Sequence, residues 1–330
     1  MNRKHRISQV LREFNLTEHP LLLPGGSTQT FRVGNAVLKR IRETSLENNH
    51  SLILIQWIAD FSLRLHEDGF RVPKPLPTVD NTWITPDGWT AWTFLEGRHA
   101  SRADIPECIP AIVAFHKALK PISKHPLMDD NRTPWGKADR WCWGEKPAFV
   151  EPKLRSLVDQ HYALRQPVDD LEFQLIHADL SPEIILIAPG LSHAFLDLSP
   201  FWGPPEFALA IFANFSGPRR GDASVLKYFE AIPQFDQLLI RAGIRMLLVM
   251  EAVRSDVDSW LLDFISKPQL SKHCFYVKDD GGVRLTLYIV PQLSVTVSLW
   301  SKRIEVTVTY TVGFNNSGTN CTNLPSILPA

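Results

Sequence analysis

The stretch that most constrains this chain is FQLIHADLSPEIILI, residues 173–187. Two apolar, strand-like runs, FQLI and IILI, flank His177, Ala178 and Asp179. Any fold that buries both runs must hold the short polar loop between them in one place. An aspartate in such a loop can accept the proton of an attacking hydroxyl. His177 reads as a brace, hydrogen-bonded inside the loop, rather than as an acid or base.

The rest of the chain divides around that loop. Residues 5–16 have helical spacing at Ile7, Val10, Leu11 and Phe14. Thr30–Val33 and Ala36–Ile41 read as a hairpin about Gly34-Asn35. A helix is expected over 45–66, with Ser45 as cap and Ile53, Trp57, Phe61 and Leu65 on one face. Proline-rich VPKPLPTVD (72–80) reads as an extended connector, and two strands are expected around Pro86-Asp87-Gly88. After Gly97 the pattern turns helical: IPAIVAFHKALKPI, one helix within 139–164, a segment at 205–215 and a periodic run at 234–265. A second strand, SHAFLDLSPF, interrupts them. The expected plan is α+β and two-lobed: a β-rich lobe at 1–97 and a mostly helical lobe at 98–272. The last stretch, 273–330, alternates Val, Thr, Ser and Leu. It reads either as a small appended β-hairpin or as an extension from an altered reading frame or unspliced intron.

Composition narrows the partners. Among 330 residues, 35 Lys and Arg balance 35 Asp and Glu, so no overall field favours nucleic acid or an anionic membrane. The amphipathic start, MNRKHRISQVLREFNL, lacks the apolar core of a secretory signal, and no stretch is long and apolar enough to span a bilayer. Four scattered cysteines make no CxxC pair. A reduced, cytoplasmic protein is expected, with its oligomeric state left open.

Four features carry chemistry in sequence order. Gly25-Gly26-Ser27 begins a loop whose backbone N–H groups can close on phosphate oxygens, although a Gly-Gly pair is commonly only a turn. Lys39, within AVLKRI, can set its ammonium on phosphates; its plain alternative is an exposed edge-strand lysine. Asp179 is the third feature. Asp197, at the end of another apolar strand, can bind Mg²⁺, a hard cation that takes few protein oxygens beside phosphate and water. A Gly-x-Ser-x-Gly nucleophile elbow and a G-x-G-x-x-G dinucleotide loop are both absent, which argues against a hydrolase or a Rossmann site.

Together these residues resemble the aminoglycoside phosphotransferase and choline kinase-like family, small-molecule relatives of the protein kinases. The family's His-Gly-Asp-Leu-x-Pro-x-Asn loop is matched by His177 to Ile184, and its Ile-Asp-Phe strand by Leu196, Asp197 and Leu198. His116, late in AIVAFHKAL, and TFLEGR, with Leu95 and Gly97, resemble the family's helix and adenine-binding hinge. LDLSPFWGPPEFALAI resembles a divergent branch in which Trp-x-Pro-Pro-Glu follows the metal aspartate. The resemblance covers roughly residues 20–265. It implies that Lys39 holds ATP phosphates, Asp179 is the catalytic base, Asp197 coordinates Mg²⁺, and Leu95 lies where adenine binds. It also implies an acidic partner for Lys39 on the following helix: Glu47, with Glu43 next.

The pattern breaks at Ile184, where the family's asparagine offers a carbonyl oxygen to Mg²⁺; isoleucine has no polar atom to offer. Glu183 is one residue away, on the opposite side of an extended run, and Ser199 stands where many relatives carry a second acid. Two functions follow from the resemblance. One is ATP-dependent transfer of the γ-phosphate to a hydroxyl of a small molecule. The other is a catalytically impaired, pseudokinase-like module that binds nucleotide or ligand without turnover. Trp135, Trp141, Trp143, Trp202 and Phe207 are aromatic enough to line an acceptor pocket for a cationic amine, or simply to fill the rear core.

Overall fold

The computed structural model describes residues 3–23, 29–41, 49–129, 133–144, 146–147, 150, 152–217, 223–256, 277–279, 282–290, 293–300 and 303–310. The chain opens with helix α1 (Arg3–Glu13), strands β1 (Leu21–Leu22), β2 (Thr30–Val33) and β3 (Ala36–Arg40), and helix α2 (Asn49–Arg64). Strands β4 (Phe70–Arg71), β5 (Pro75–Leu76) and β6 (Trp89–Thr93) follow. Five of these strands form an antiparallel sheet in the order β1-β2-β3-β6-β5. The β2–β3 turn needs φ +58° at Gly34, which glycine adopts without a Cβ clash. Alternation along β3 then decides two fates. Leu38 is wholly buried among Val10, Phe14, Val33, Trp89 and Ala91, beneath α1. Its neighbour Lys39 therefore points from the opposite face of the sheet.

The second half comprises β7 (Arg98–His99), α3 (Ile105–Leu119), α4 (Pro134–Trp143), α5 (Pro152–Leu164), β8 (Gln174–His177), β9 (Ile185–Ala188), β10 (Leu191–Phe195), β11 (Pro200–Gly203), α6 (Pro205–Ser216) and α7 (Phe235–Asp256). Strands β4, β10, β9 and β7 form one sheet in that order; β8 and β11 pair as an antiparallel ribbon. Gly97 fits only as glycine where the chain passes into β7. Its φ is +146°, and a Cβ there would lie 2.9 Å from the Ile187 carbonyl oxygen. The main core runs through α3, β8, β10, α6 and α7. At its centre Phe115 of α3 stacks on Phe195 of β10, with ring centroids 4.7 Å apart, directly beside His177.

Three local expectations are corrected. Residues 82–85 form no strand, with bends at 83–84, because Thr82 Oγ1 bonds Thr78 Oγ1 and Ile84 O, and Thr85 Oγ1 takes the Trp89 N–H. Threonine hydroxyls that satisfy the backbone locally compete with a ladder. The connector at 72–80 instead contributes β5, a sheet-edge strand where Pro75 needs no donor. The segment 139–164 does hold the expected helix, α5 from Pro152, and begins with the last residues of α4, which ends before Gly144. Beyond α7, strands β12 (Val277–Asp279), β13 (Gly282–Val290), β14 (Leu293–Trp300) and β15 (Arg303–Tyr310) form a four-stranded antiparallel sheet, larger than the hairpin expected there. Among the described residues no helix is long and apolar enough to cross a membrane.

Candidate functional site

The strand placement of Lys39 sends its ammonium to the carboxylate of Asp197, 158 residues away, and the two form an ion pair. Both side chains remain open to solvent, 36% and 55% exposed. An exposed pair of this kind contributes only ~0–1 kcal/mol, so incoming charged groups can separate it easily.

Asp197 sits between β10 and β11 with φ +53°, a left-handed conformation uncommon outside glycine, though aspartate and asparagine adopt it more readily than most residues. Such a backbone persists where its surroundings hold it firmly. Here the turn is tied to the Asp179 loop on both sides. The Leu196 N–H donates to Ile184 O (2.9 Å), and the Ala178 N–H donates to Ser199 O (2.9 Å). His177 adds a third link through its ring, which lies 3.0 Å from Leu196 O.

The histidine geometry fixes the ring tautomers. The Asp179 N–H donates to His177 Nδ1 at 3.2 Å, so Nε2 carries the proton and donates to Leu196 O. The His177 N–H in turn donates to His116 Nε2 at 3.2 Å, so His116 Nδ1 is protonated and donates to Ile112 O at 2.7 Å. One chain of hydrogen bonds thus runs from α3 through the loop to the Asp197 turn. His177 braces the loop, and His116 is the support behind it.

Both rings are buried and neutral. Burial pushes His116 down to about 4, against the favourable Ile112 carbonyl. Burial also lowers His177, opposed by Leu196 O and by the charges of Asp179 and Asp197. The consequence has a definite sign. Between about 6.5 and about 4 the unfolded chain binds a proton at His116 that the folded chain refuses. Stability from this group is complete above the unfolded value and declines as pH falls through that window, by up to roughly 3 kcal/mol. Urea midpoints measured from pH 7.5 to 4.5 are expected to fall, and His116→Gln should flatten that dependence. A midpoint independent of pH in the parent chain contradicts the assignment.

Ile184 ends a short 3₁₀ turn, Pro182–Ile184, with its side chain packed against the main core. Its N–H meets Ser181 O and its carbonyl takes the Leu196 N–H. The backbone therefore keeps the loop-holding function while the side chain adds apolar packing. Leu95 lies half-buried between β6 and β7, in a segment anchored by Phe94 N–H to Asn35 O (2.7 Å). Gly25, Gly26, Ser27, Glu43 and Glu47 lie outside the described residues.

Of the aromatic residues considered for an acceptor pocket, Phe207 is fully buried and belongs to the core, with Trp143 packed edge-on against it. Trp143 and Trp202, with Phe173 and Phe201, line a groove of about 380 Å³ at the end of the β8–β11 ribbon away from Asp179. Sequence reading did not find the buried pair Asp139 and Arg245, whose side chains meet between α4 and α7. The available signal was charge within a mostly apolar helical stretch: Asp139 in α4, and Arg241 with Arg245 in α7.

A family model described as phosphotransferase enzyme family matches residues 21–241, well over half the chain. No curated protein sequence matches. Among solved structures, an amicoumacin kinase, hAmiN, in complex with AMP-PNP, Ca²⁺ and Ami is similar at TM-score 0.54 and 12% identity, covering 83% of this chain and 92% of that one. The GDP complex of aminoglycoside 2'-phosphotransferase-IIIa is similar at 0.52 and 12%, covering 80% and 96%. Choline kinase LicA from Streptococcus pneumoniae is similar at 0.50 and 13%, covering 78% and 92%. These likenesses show a kinase-like fold, with a β-rich N-terminal region and a helical C-terminal part.

Proposed function

Because the chain belongs to the phosphotransferase enzyme family, we propose that it transfers the γ-phosphate of ATP to a hydroxyl group of a small molecule. The observation that carries this reading is the meeting of the Lys39 ammonium with the Asp197 carboxylate, on a turn laced to the Asp179 loop. In that arrangement Asp179 accepts the proton of the acceptor hydroxyl as its oxygen attacks phosphorus and the β–γ bridge breaks toward ADP. Lys39 holds phosphate oxygens. His177 and His116 keep the loop in register with the Asp197 turn.

Asp197 fits a Mg²⁺ ion: it is a half-exposed carboxylate, and this metal is commonly held by one or two carboxylates with phosphate and water completing its shell. Among the described residues there is no group of three or more acidic, histidine or cysteine side chains that could hold a metal alone, which suits an ion arriving with the nucleotide. When bound it supplies positive charge to the phosphate oxygens.

Phosphate transfer from labelled ATP, assayed across hydroxyl-bearing amines with and without Mg²⁺, tests the proposal. Transfer to at least one acceptor is expected, with Lys39→Met weakening ATP binding. Nucleotide bound tightly without Mg²⁺, with no phosphate passed to any acceptor, would instead identify a binding module.

A further inference from the structure

Arg71 belongs to the first half of the sequence, yet its strand, β4, forms the edge of the second half's sheet. There β4 runs parallel to β10, with Arg71 opposite Ala194. The preceding Phe70 is buried against Phe115 of α3, with ring centroids 5.1 Å apart. From this anchored base the guanidinium reaches two carbonyls at once. Nε donates to Ser192 O at 2.7 Å, and Nη2 donates to Glu96 O at 3.1 Å. Glu96 lies in residues 94–97, the segment that carries the chain from the front sheet to β7.

The other contacts of that segment hold its ends. The Thr93 N–H donates to Lys74 O (2.8 Å), the Phe94 N–H donates to Asn35 O (2.7 Å), and Gly97 passes close beneath the Ile187 carbonyl. Between them, neither the N–H nor the carbonyl of Leu95 makes a hydrogen bond among the described residues. A half-buried peptide group left open in this way costs free energy until something pairs with it.

The neighbouring sheet indicates what would meet it. Residues directly opposite in an antiparallel pair share a face. Lys39 is opposite Thr90 and Val37 is opposite Trp92, so these four side chains share the face turned away from buried Leu38. Trp92 Nε1 donates to Thr90 Oγ1 (3.1 Å), which lays the indole along that face. From Lys39 toward Leu95 the surface thus passes from cationic to apolar and ends on an open backbone donor and acceptor. A purine nucleotide has its parts in the same order: charged phosphates, a flat ring, and a ring edge that carries both an acceptor and a donor.

We propose that Arg71 is a positioning residue for the nucleotide base. By holding Glu96 O and Ser192 O in one guanidinium, it fixes the Leu95 peptide group at the end of the cleft face. This rests on the reading that the phosphates of ATP lie on Lys39. Arginine suits the task because its planar fork holds two acceptors at a set spacing, whereas a lysine ammonium is a point charge without that geometry.

A probe with phosphates but no base separates this role from a general structural one. Tripolyphosphate meets Lys39 and Asp197 and has nothing to offer Leu95. Calorimetric titrations with Mg²⁺ and either tripolyphosphate or a non-hydrolysable ATP analogue therefore test the proposal without an acceptor. Arg71→Met keeps the aliphatic stem and loses every donor. Its Kd for the analogue should rise about tenfold, the weight of one charge-assisted hydrogen bond, while its Kd for tripolyphosphate stays at the parent's value. Arg71→Lys should lose less. In turnover the change should appear in the KM for ATP and not in kcat, and hydrogen exchange at the Leu95 amide should quicken in Arg71→Met.

An analogue Kd equal to the parent's overturns the proposal. So does equal weakening of both probes, or a fall in kcat as large as the rise in KM, because a strut that merely supports the fold would give either. Failure of the underlying reading looks different: the analogue would bind Lys39→Met as tightly as the parent, whatever Arg71 does.

Discussion

Asp179→Asn is expected to lower phosphate transfer by about 10²–10⁴-fold while ATP affinity stays close to the parent's. The substitution preserves side-chain size while replacing the negatively charged carboxylate with a neutral amide that cannot take up a proton. The tie between residue 179 and the loop is a backbone N–H donated to His177 Nδ1, which asparagine retains. The groups proposed to hold nucleotide, Lys39 and Asp197, are paired with one another and owe nothing to the Asp179 side chain. Chemistry and binding should therefore separate cleanly. Single-turnover transfer from labelled ATP reads the first, and calorimetric titration with ATP and Mg²⁺ reads the second. An asparagine variant that transfers at the parent's rate would remove Asp179 from the mechanism. Equal losses of transfer and affinity would make it a binding residue instead.

The residues that carry this prediction differ in how visible they are before folding. Lys39 was legible because a strand's alternation is a local property: once Leu38 is buried, its neighbour must face the other way. The Asp179 loop was legible for the same reason, being bracketed by apolar runs that become β8 and β9. Other features depend on contacts that no local pattern encodes. Nothing near Asp197 signals its φ of +53°, which follows from hydrogen bonds to residues 177, 178 and 184. His116 and His177 are 61 residues apart, and Asp139 and Arg245 are 106 apart. A charge inside an apolar helical stretch hints at burial with a counter-ion, as in KADRWCW and LLIRAGIRMLL, but does not say which partner will meet it. The expected strand at 82–85 failed for a different reason: local threonine hydrogen bonds outweighed strand propensity.

The same reasoning gives Ile184→Asn the opposite expected sign. The isoleucine side chain packs on the core, whereas its backbone groups already make the bonds that hold the loop, to Ser181 O and from the Leu196 N–H. Asparagine leaves those backbone bonds in place and adds a carbonyl oxygen two residues beyond Pro182. If Asp197 is a metal ligand, a second oxygen from the loop should raise Mg²⁺ affinity and transfer rate by about 10–100-fold, the range by which supporting contacts typically alter metal sites. The cost falls on stability. An amide replaces half-buried apolar surface, and roughly 1–3 kcal/mol is expected to be lost in the metal-free protein. Mg²⁺ with nucleotide should recover part of that loss, because a ligand that binds only the folded state stabilises it. The decisive measurement is thermal unfolding of parent and variant with and without Mg²⁺ and a non-hydrolysable ATP analogue, run beside the transfer assay. A variant that is less stable in every condition, with no gain in Mg²⁺ response, would mean that position 184 does not face the metal in this chain. It would also mean that the isoleucine serves packing alone.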